Sequence, residues 1–212
     1  MPRVTAEHRA ARREQILVAA MDCVAREGFH KTTMAHVVSA SGLSAGAVYG
    51  YFRSKEELIS AIADRAVGMV GGVFARAAGQ EAVPSPAEVV ERVAASIEAQ
   101  AADHGVDITR VAVAAWAEAV RDEQVHTVVA AKVGQLRERC LEIIRLQQRA
   151  GLVDPGGDPH QMAQAMLALF PGFILQRLIL GDVTSASLGA GVAGLTYGPA
   201  ATPAADHTGG SS

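Results

Sequence analysis

Hydroxyl-bearing side chains are concentrated near a short glycine-containing segment in the first quarter of the chain. Tyr49 and Tyr51 lie two residues apart, and Thr32 and Thr33 stand together before them. A tyrosine hydroxyl donates a hydrogen bond to phosphate, and its ring packs against a sugar or a thymine methyl group. Lys55 adds a cation at the start of a predicted helix, where the helix dipole already favours phosphate. These side chains predict contact with a nucleic-acid backbone, and packing inside a small domain is the alternative for the two tyrosines.

Two short helices joined by a tight turn would hold these side chains. The threonine pair caps residues 34–40, and a turn at Gly42 leads into residues 44–52. This pattern predicts a helix-turn-helix motif at about residues 33–52, whose second helix would enter a major groove. Its inward side is apolar: Val37, Val38, Leu43, Val48 and Phe52. Its outward side combines small residues with the tyrosines: Ala45, Gly46, Ala47, Tyr49, Gly50 and Tyr51.

The rest of the chain predicts further helices. Apolar residues recur at intervals of three and four, and no stretch alternates in period two, so we predict an all-α protein. The first helix, at about residues 10–26, ends at Gly28. A capping box at Ser54 and Glu57 opens a helix at residues 55–78, which we expect to be the one element that links two domains. Other helices are predicted at residues 87–103, 108–121, 123–150, 162–180 and 185–195.

These elements divide the chain into two domains and a tail. We predict a three-helix DNA-binding domain at residues 10–55 and a helical regulatory and dimerisation domain at residues 56–196. Residues 197–212 are rich in Gly, Pro, Ala and Ser and are predicted to be disordered.

Net charge differs between the two predicted domains. Residues 1–55 carry eight Lys or Arg and four Asp or Glu, a net of +4, which leaves −7 for the remainder of a chain whose total is −3. Moving the boundary to residue 65 leaves +2 against −5. A basic N-terminal part suits contact with phosphate, whereas the acidic remainder excludes a uniformly basic surface. The N-terminal part also contains a basic cluster, which consists of Arg3, Arg9, Arg12 and Arg13. This cluster is either an arm that enters a minor groove or a solvated helix face.

Cysteine use and hydropathy predict a cytoplasmic protein with no membrane partner. Cys23 and Cys140 are far apart and lie in amphipathic patterns, which favours free thiols in a reducing compartment. The longest strongly apolar run, residues 165–175, is about half of the ~20 residues that a membrane helix needs. Glu7 and Glu14 argue against a signal peptide.

The sequence gives little support for catalysis or metal binding. It contains no G-x-x-x-x-G-K-[ST] and no H-E-x-x-H, and no dinucleotide fingerprint follows a predicted strand. His104 and His126 are not spaced as metal ligands with each other or with either cysteine. We therefore predict that the protein is not an enzyme and has no cofactor or metal site.

Residues 28–58 resemble the TetR/AcrR family of bacterial transcriptional regulators. The family pattern G-x-x-x-T-T-x-x-x-I-A-x-x-A-G-V-S-x-G-x-L-Y-x-Y-F-x-S-K-E-x-L aligns in register with GFHKTTMAHVVSASGLSAGAVYGYFRSKEEL, and the likeness extends over roughly residues 10–60. The resemblance implies phosphate or backbone contacts by Thr33, Ser44, Tyr49, Tyr51 and Lys55. It places Ala45, Ala47 and Gly50 where base edges are read. Because relatives often carry long polar residues at the first and last of these, this helix offers few groups for direct base readout.

The resemblance also implies a helical regulatory domain that binds a small molecule and dimerises through its last two helices. The predicted helix at residues 162–180 is apolar on all sides, which independently favours burial against a partner. The few charges predict an apolar or amphipathic effector. Candidate pocket residues, for which core packing is the default, are Met69, Phe74, Trp116, Met166, Phe170 and Phe173.

Together these observations predict a ligand-responsive repressor that binds a palindromic double-stranded DNA operator as a homodimer. The alternative is a helical dimeric protein-interaction module with a non-functional helix-turn-helix.

Overall fold

The computed structural model describes residues 6–80, 82–101 and 106–196, apart from the side chains of Ala66, Met69 and Val70. The described residues form helices and no strands, which confirms the all-α class. The predicted tail at residues 197–212 lies outside the described residues. In chain order the helices are α1 (Ala6–Lys31), α2 (Met34–Ser41), α3 (Ala45–Tyr51), α4 (Lys55–Ala78), α5 (Pro86–Ala101), α6 (Ile108–Ala119), α7 (Glu123–Arg149), α8 (Pro159–Ile179) and α9 (Ser185–Thr196).

Gly28 ends the regular part of α1. Its φ of 78° and ψ of 167° lie in a region that essentially only glycine adopts. The predicted end of the helix is therefore confirmed, and the chain is already helical at Ala6, the first described residue, rather than from about residue 10. The break turns the chain so that the next residue, Phe29, is only 2% exposed.

Three hydroxyl side chains cap the helices that follow. Each accepts a hydrogen bond from the amide three residues later: Thr33 from His36, Ser44 from Ala47 and Ser54 from Glu57. These bonds satisfy amides that the first turn of a helix leaves unpaired. The Glu57 carboxylate accepts from the amide of Arg53 rather than that of Ser54, so the predicted capping box closes one residue earlier.

The helix-turn-helix packs on α1 through a cluster that we call the N-terminal core. Its members include Ile16, Val24, Phe29, Val37, Val48, Phe52 and Ile62. The three predicted inward residues Val37, Val48 and Phe52 are at most 1% exposed. Val38 and Leu43, the other two, are half-buried against the same cluster. The predicted inward side of the motif is therefore the side that packs.

A second cluster, which we call the C-terminal core, lies between the end of α4 and helices α5, α7, α8 and α9. It includes Phe74, Val89, Val93, Ile143, Phe170 and Phe173. At Gly189 of α9, an added Cβ would lie 2.8 Å from the Cβ of Glu91, so the glycine permits the close approach of α9 to α5.

Two long helices contribute to both cores. Helix α4 gives Ile59 to the N-terminal core and Phe74 to the C-terminal core, and α7 likewise gives Val125 and Ile143. The expectation that α4 alone links the two parts is therefore wrong. The N-terminal core also continues past residue 55, so the domain boundary placed there stays a prediction.

Helix α8 is the one helix in the described part of the chain that is long and apolar enough to cross a membrane by length and composition. Core helices of globular proteins meet the same criteria. Three of its side chains, Met166, Phe170 and Phe173, are buried in the C-terminal core.

Candidate nucleic-acid interface

Helix α3 presents an outer face of small side chains and one large ring. Ala45, Gly46 and Gly50 are exposed, and an added Cβ at either glycine would meet nothing within 4 Å. Tyr49 is 48% exposed. Val48, on the opposite side, is fully buried. The predicted small residues and Tyr49 therefore line an open surface, with Ala47 half-buried at its edge.

Tyr51 does not share that fully open position. Its ring is half-buried and packs against the N-terminal core. The prediction that both tyrosines face outward therefore needs correction. Tyr51 is the last residue of α3, where the chain leaves the helix at the extended and buried Phe52. Packing inside the domain was the alternative for the two tyrosines. It applies in part to Tyr51, whose ring contacts the N-terminal core, but Tyr49 remains an exposed residue.

The threonine pair divides into a buried and an exposed residue. Thr32 is 2% exposed, its hydroxyl donates to the carbonyl oxygen of Gly28 at 2.8 Å, and its amide bonds the same oxygen. Its predicted role as a phosphate contact is not supported, because both donors are already used. Thr33 is exposed, and so is Ser44. Each accepts an amide hydrogen bond as a cap, which leaves its hydroxyl proton free to donate.

Lys55 is half-buried and its ammonium group donates to the carbonyl oxygen of Phe29. This bond ties the start of α4 to the segment that follows Gly28. An ammonium group has three donors, so two remain for a phosphate. Beside it, hydrogen bonds from the Ser54 hydroxyl and from its own amide hold the pKa of the Glu56 carboxyl below its ordinary value. The start of α4 therefore carries the positive charge of Lys55 next to the negative charge of Glu56.

Part of the basic cluster in α1 is occupied within the domain. The Arg13 guanidinium lies 5.0 Å from the centre of the Phe52 ring, a cation–π contact. Arg12 donates to Gln15, whose amide donates to the carbonyl oxygen of Ser41 at 2.8 Å. Arg9 is exposed, and Arg3 lies outside the described residues. The sequence patterns did not reveal that Gln15 joins α1 to α2, because no spacing rule marks a contact across 26 residues.

A cavity of about 180 Å³ lies between α4, α6, α7 and α8. Of the predicted pocket residues, Trp116 and Phe170 line it. Phe74 and Phe173 are packed in the C-terminal core instead, and the Phe74 ring stands edge-on to that of Phe170 with centroids 6.3 Å apart. The side chain of Met69 lies outside the described residues.

Two cavity residues were not among the predicted ones. Phe29, which follows the break at Gly28, lines the cavity wall. Lys132 of α7 also lines the cavity and forms an ion pair with Asp64 of α4. A single lysine among the mainly apolar residues 128–136 of α7 carried no signal of a pocket.

Met166 lies at a different opening. A groove of about 420 Å³ between α5, α7, α8 and α9 is lined by Met162, Met166, Val192 and Leu195, among others. The predicted set of pocket residues is therefore divided between a cavity, a core and a groove. Helical spacing places these residues on apolar faces but does not say which neighbour each face meets.

Both cysteines are free thiols with low reactivity. Burial raises the pKa of the Cys140 thiol to about 12 and also raises that of Cys23. The thiolate is the reactive form, so neither residue is a good nucleophile near neutral pH. Within the described residues, no group of three or more His, Cys, Asp or Glu side chains could hold a metal ion.

Two sequence strings look like enzyme motifs but lie in the wrong structural context. Residues 42–46 read G-x-S-x-G, yet the serine, Ser44, follows a turn between helices rather than a strand, and it caps α3. Residues 189–194 read G-x-G-x-x-G, yet they lie inside α9. Neither string forms the loop that its chemistry requires.

Comparison with known families identifies both parts of the chain. The model described as bacterial regulatory proteins, tetR family, matches residues 16–62, which hold α2, α3 and their turn. A second model, the C-terminal part of BetI-type transcriptional repressors, matches residues 89–193. The chain belongs to the TetR family. Its exposed α3 surface is therefore the surface that corresponds to the family's helix-turn-helix.

Individual relatives agree with this membership. The TetR-family chain is 44% identical over 63 residues to the HTH-type transcriptional repressor Rv1474c of Mycobacterium tuberculosis, which covers 30% of this chain and 34% of that protein. It is 28% identical over 182 residues to the HTH-type transcriptional regulator BetI of Rhizobium meliloti, 84% of this chain and 82% of that one. The solved structure of Salmonella enterica GusR has the same fold, with a TM-score of 0.70 at 24% identity over 92% of this chain and 99% of that one.

Proposed function

We propose that this protein is a transcriptional repressor that binds a palindromic DNA operator as a homodimer and releases it when a small molecule binds. The observation that carries the proposal is the exposed face of α3, within a domain that matches the tetR family model. The chain spans about a third of the length of the curated relatives that its N-terminal part matches, so the activity of the whole protein is inferred. A cytoplasmic location follows from this function.

The proposed DNA contacts follow from the geometry of the caps and of α3. Thr33 and Ser44 would donate their free hydroxyl protons to phosphates, and Lys55 would use its remaining donors. The small outer residues of α3 let the helix backbone approach the groove, where methyl groups and DNA shape rather than long polar side chains would carry specificity. Tyr49 would contact the backbone from the exposed face, and Tyr51 from its half-buried position.

Selection of bound sequences from random duplex DNA tests the function directly. We expect enrichment of a palindrome whose half-sites lie about 34–36 Å apart, or a multiple of that distance, because a twofold dimer presents two α3 helices. Binding should weaken steeply between low and physiological salt as phosphate contacts are lost. No enrichment, together with salt-independent binding, would contradict the proposal and favour the interaction-module alternative, which the family membership does not otherwise favour.

Tyr49→Phe should weaken operator binding about tenfold, because a hydrogen bond to a charged group contributes roughly 1.5 kcal/mol or more. The ring is retained, so stability should change by less than about 0.5 kcal/mol. Fluorescence anisotropy with the selected operator measures the affinity, and thermal denaturation checks the fold. Unchanged affinity would show that the Tyr49 hydroxyl does not contact the operator.

The proposed dimer interface lies on α8 and α9. Large apolar side chains are exposed there in the isolated chain: Leu175, Ile179 and Leu180 at 40%, 74% and 64%, and Leu195 at 87%. Leu175, Ile179 and Leu180 lie at the C-terminal end of α8. Leu195 of α9 lies beside the N-terminal half of α8, where it shares a groove with Met162 and Ala165, so the proposed interface would run along both helices. Their exposure supports, from the structure, the interface that the family resemblance implies.

Ile179→Glu should convert the dimer to monomers at micromolar concentration, because it buries an unpaired carboxylate in an apolar contact. Light scattering coupled to size exclusion measures the mass. The matched control is Val120→Glu, since Val120 is 83% exposed and caps the C-terminal end of α6 rather than lying on α8 or α9. If Ile179→Glu remains dimeric while folded, the proposed interface is wrong.

The proposed effector site is the cavity beside α4 and α7. Both helices contribute to its wall and to both hydrophobic cores. A ligand that favours one arrangement of these helices shifts the spacing of the two α3 helices by its differential affinity. The largely apolar wall supports an apolar or amphipathic effector.

A further inference from the structure

One charged residue lies in the largely apolar wall of the proposed effector cavity. Among the described residues that line it, Lys132 alone is charged, and most of the others are aliphatic, including Ile59, Val111, Leu136, Leu167 and Ile174. The Lys132 side chain is 19% exposed. A lysine whose side chain is mostly buried is usually paired with an anion.

The present partner of Lys132 is only loosely held by the protein. Asp64 of α4 forms the ion pair, but its side chain is 59% exposed. A carboxylate that remains mostly in water loses little when its partner is taken, because solvent replaces the lost interaction. Lys132 can therefore exchange Asp64 for another carboxylate at low cost.

We propose that the effector is a carboxylic acid with a compact apolar body, whose carboxylate replaces Asp64 on Lys132 while the body fills the cavity. This proposal rests on the proposed function of the cavity as an effector site. A cavity of about 150 Å³ accepts benzene in another protein, so 180 Å³ suits an apolar body of about six to eight carbons.

The same exchange would change a contact between α4 and α7. Asp64 lies on α4 and Lys132 on α7, and their ion pair is a direct link between the two helices. Helix α4 begins at Lys55, whose ammonium group bonds the carbonyl oxygen of Phe29, and the Phe29 ring lines the same cavity. A carboxylate ligand would thus act on α4 and on the helix-turn-helix domain at once.

The fluorescence of Trp116 provides a direct test. It is the single tryptophan of the chain and lines the cavity. Purified full-length dimer is titrated with octanoate and with octanamide, which has nearly the same shape but no charge. We expect octanoate to bind at least about tenfold more tightly, because a charge-assisted bond to Lys132 forms only with the acid.

Two variants should move the affinity in opposite directions. Lys132→Met should lower the affinity for octanoate at least about tenfold and leave the affinity for octanamide unchanged. Asp64→Asn should raise the affinity for octanoate, because it removes the competing carboxylate. Lys132→Arg should retain most of the binding, and Lys31→Met, at an exposed lysine, is the matched control. Circular dichroism confirms that each variant is folded.

Equal binding of octanoate and octanamide, no effect of Lys132→Met, or no change in Trp116 fluorescence with either compound would overturn the proposal. These measurements contain no DNA, so they stand whether or not the protein binds an operator. Release of the selected operator by octanoate is a separate measurement. If octanoate binds but the operator is not released, the proposed ligand class stands and the proposed regulation is contradicted.

Discussion

Phe52→Ala should lower the free energy of unfolding by about 3–5 kcal/mol, the usual cost of removing a fully buried phenylalanine ring. Phe52 is 1% exposed between α3 and α4, and its ring also carries the contact with the Arg13 guanidinium. The substitution leaves a cavity in the centre of the N-terminal core and removes that contact. Denaturation by urea, followed by circular dichroism at fixed protein concentration, measures the change. Operator binding should be lost with the fold of this domain.

Tyr49→Phe is the informative partner of this variant. It should weaken DNA binding while leaving the unfolding curve in place, whereas Phe52→Ala should shift both. Phe52→Leu should lie between Phe52→Ala and the unsubstituted protein, because most of the buried volume is kept. An unchanged unfolding midpoint for Phe52→Ala would mean that the N-terminal core does not pack as described.

Gly28→Ala should destabilise the protein by about 3 kcal/mol, near the upper end of the cost for a residue held in a region reserved for glycine. An added Cβ at Gly28 would meet nothing within 4 Å, so the cost comes from the backbone and not from crowding. Any shift of this residue also moves the carbonyl oxygen that binds Thr32. For a protein of this size the melting temperature should fall by roughly 6–12 °C.

Gly42→Ala provides the matched comparison. Gly42 also has open space around it, but its φ of 67° and ψ of 16° are left-handed helical, which costs other residues only about 1 kcal/mol. Asparagine tolerates that conformation, so Gly42→Asn should cost less still. If Gly28→Ala and Gly42→Ala lower the free energy of unfolding equally, the backbone conformation at Gly28 is not the cause of the loss.

Local features of the fold were predictable because their causes are local. Thr33, Ser44 and Ser54 cap helices within a few residues of themselves, and Gly28 ends α1 through its own dihedral angles. The helix-turn-helix and its apolar side follow from the same short-range rules. The surface of α3 that we propose as the DNA contact was accordingly anticipated, with Tyr49 on it.

The residues that failed as predictions depend on contacts across the chain. Thr32 has the same side chain as Thr33, yet one hydroxyl is buried on Gly28 and the other is exposed. Phe74 and Phe170 occur in similar apolar patterns, but only the second reaches the cavity. Periodicity shows that a face is apolar without showing which helix, cavity or second copy it meets.

The sequence by itself determined the family, the helices to within a few residues at their ends and the motif, because capping, backbone conformation and helical period act over a few residues. The tertiary structure decided which side chains form the cavity. It alone brought Asp64 of α4 to Lys132 of α7, 68 positions later, since two ionic groups separated by that length of chain meet only when the helices that carry them pack together.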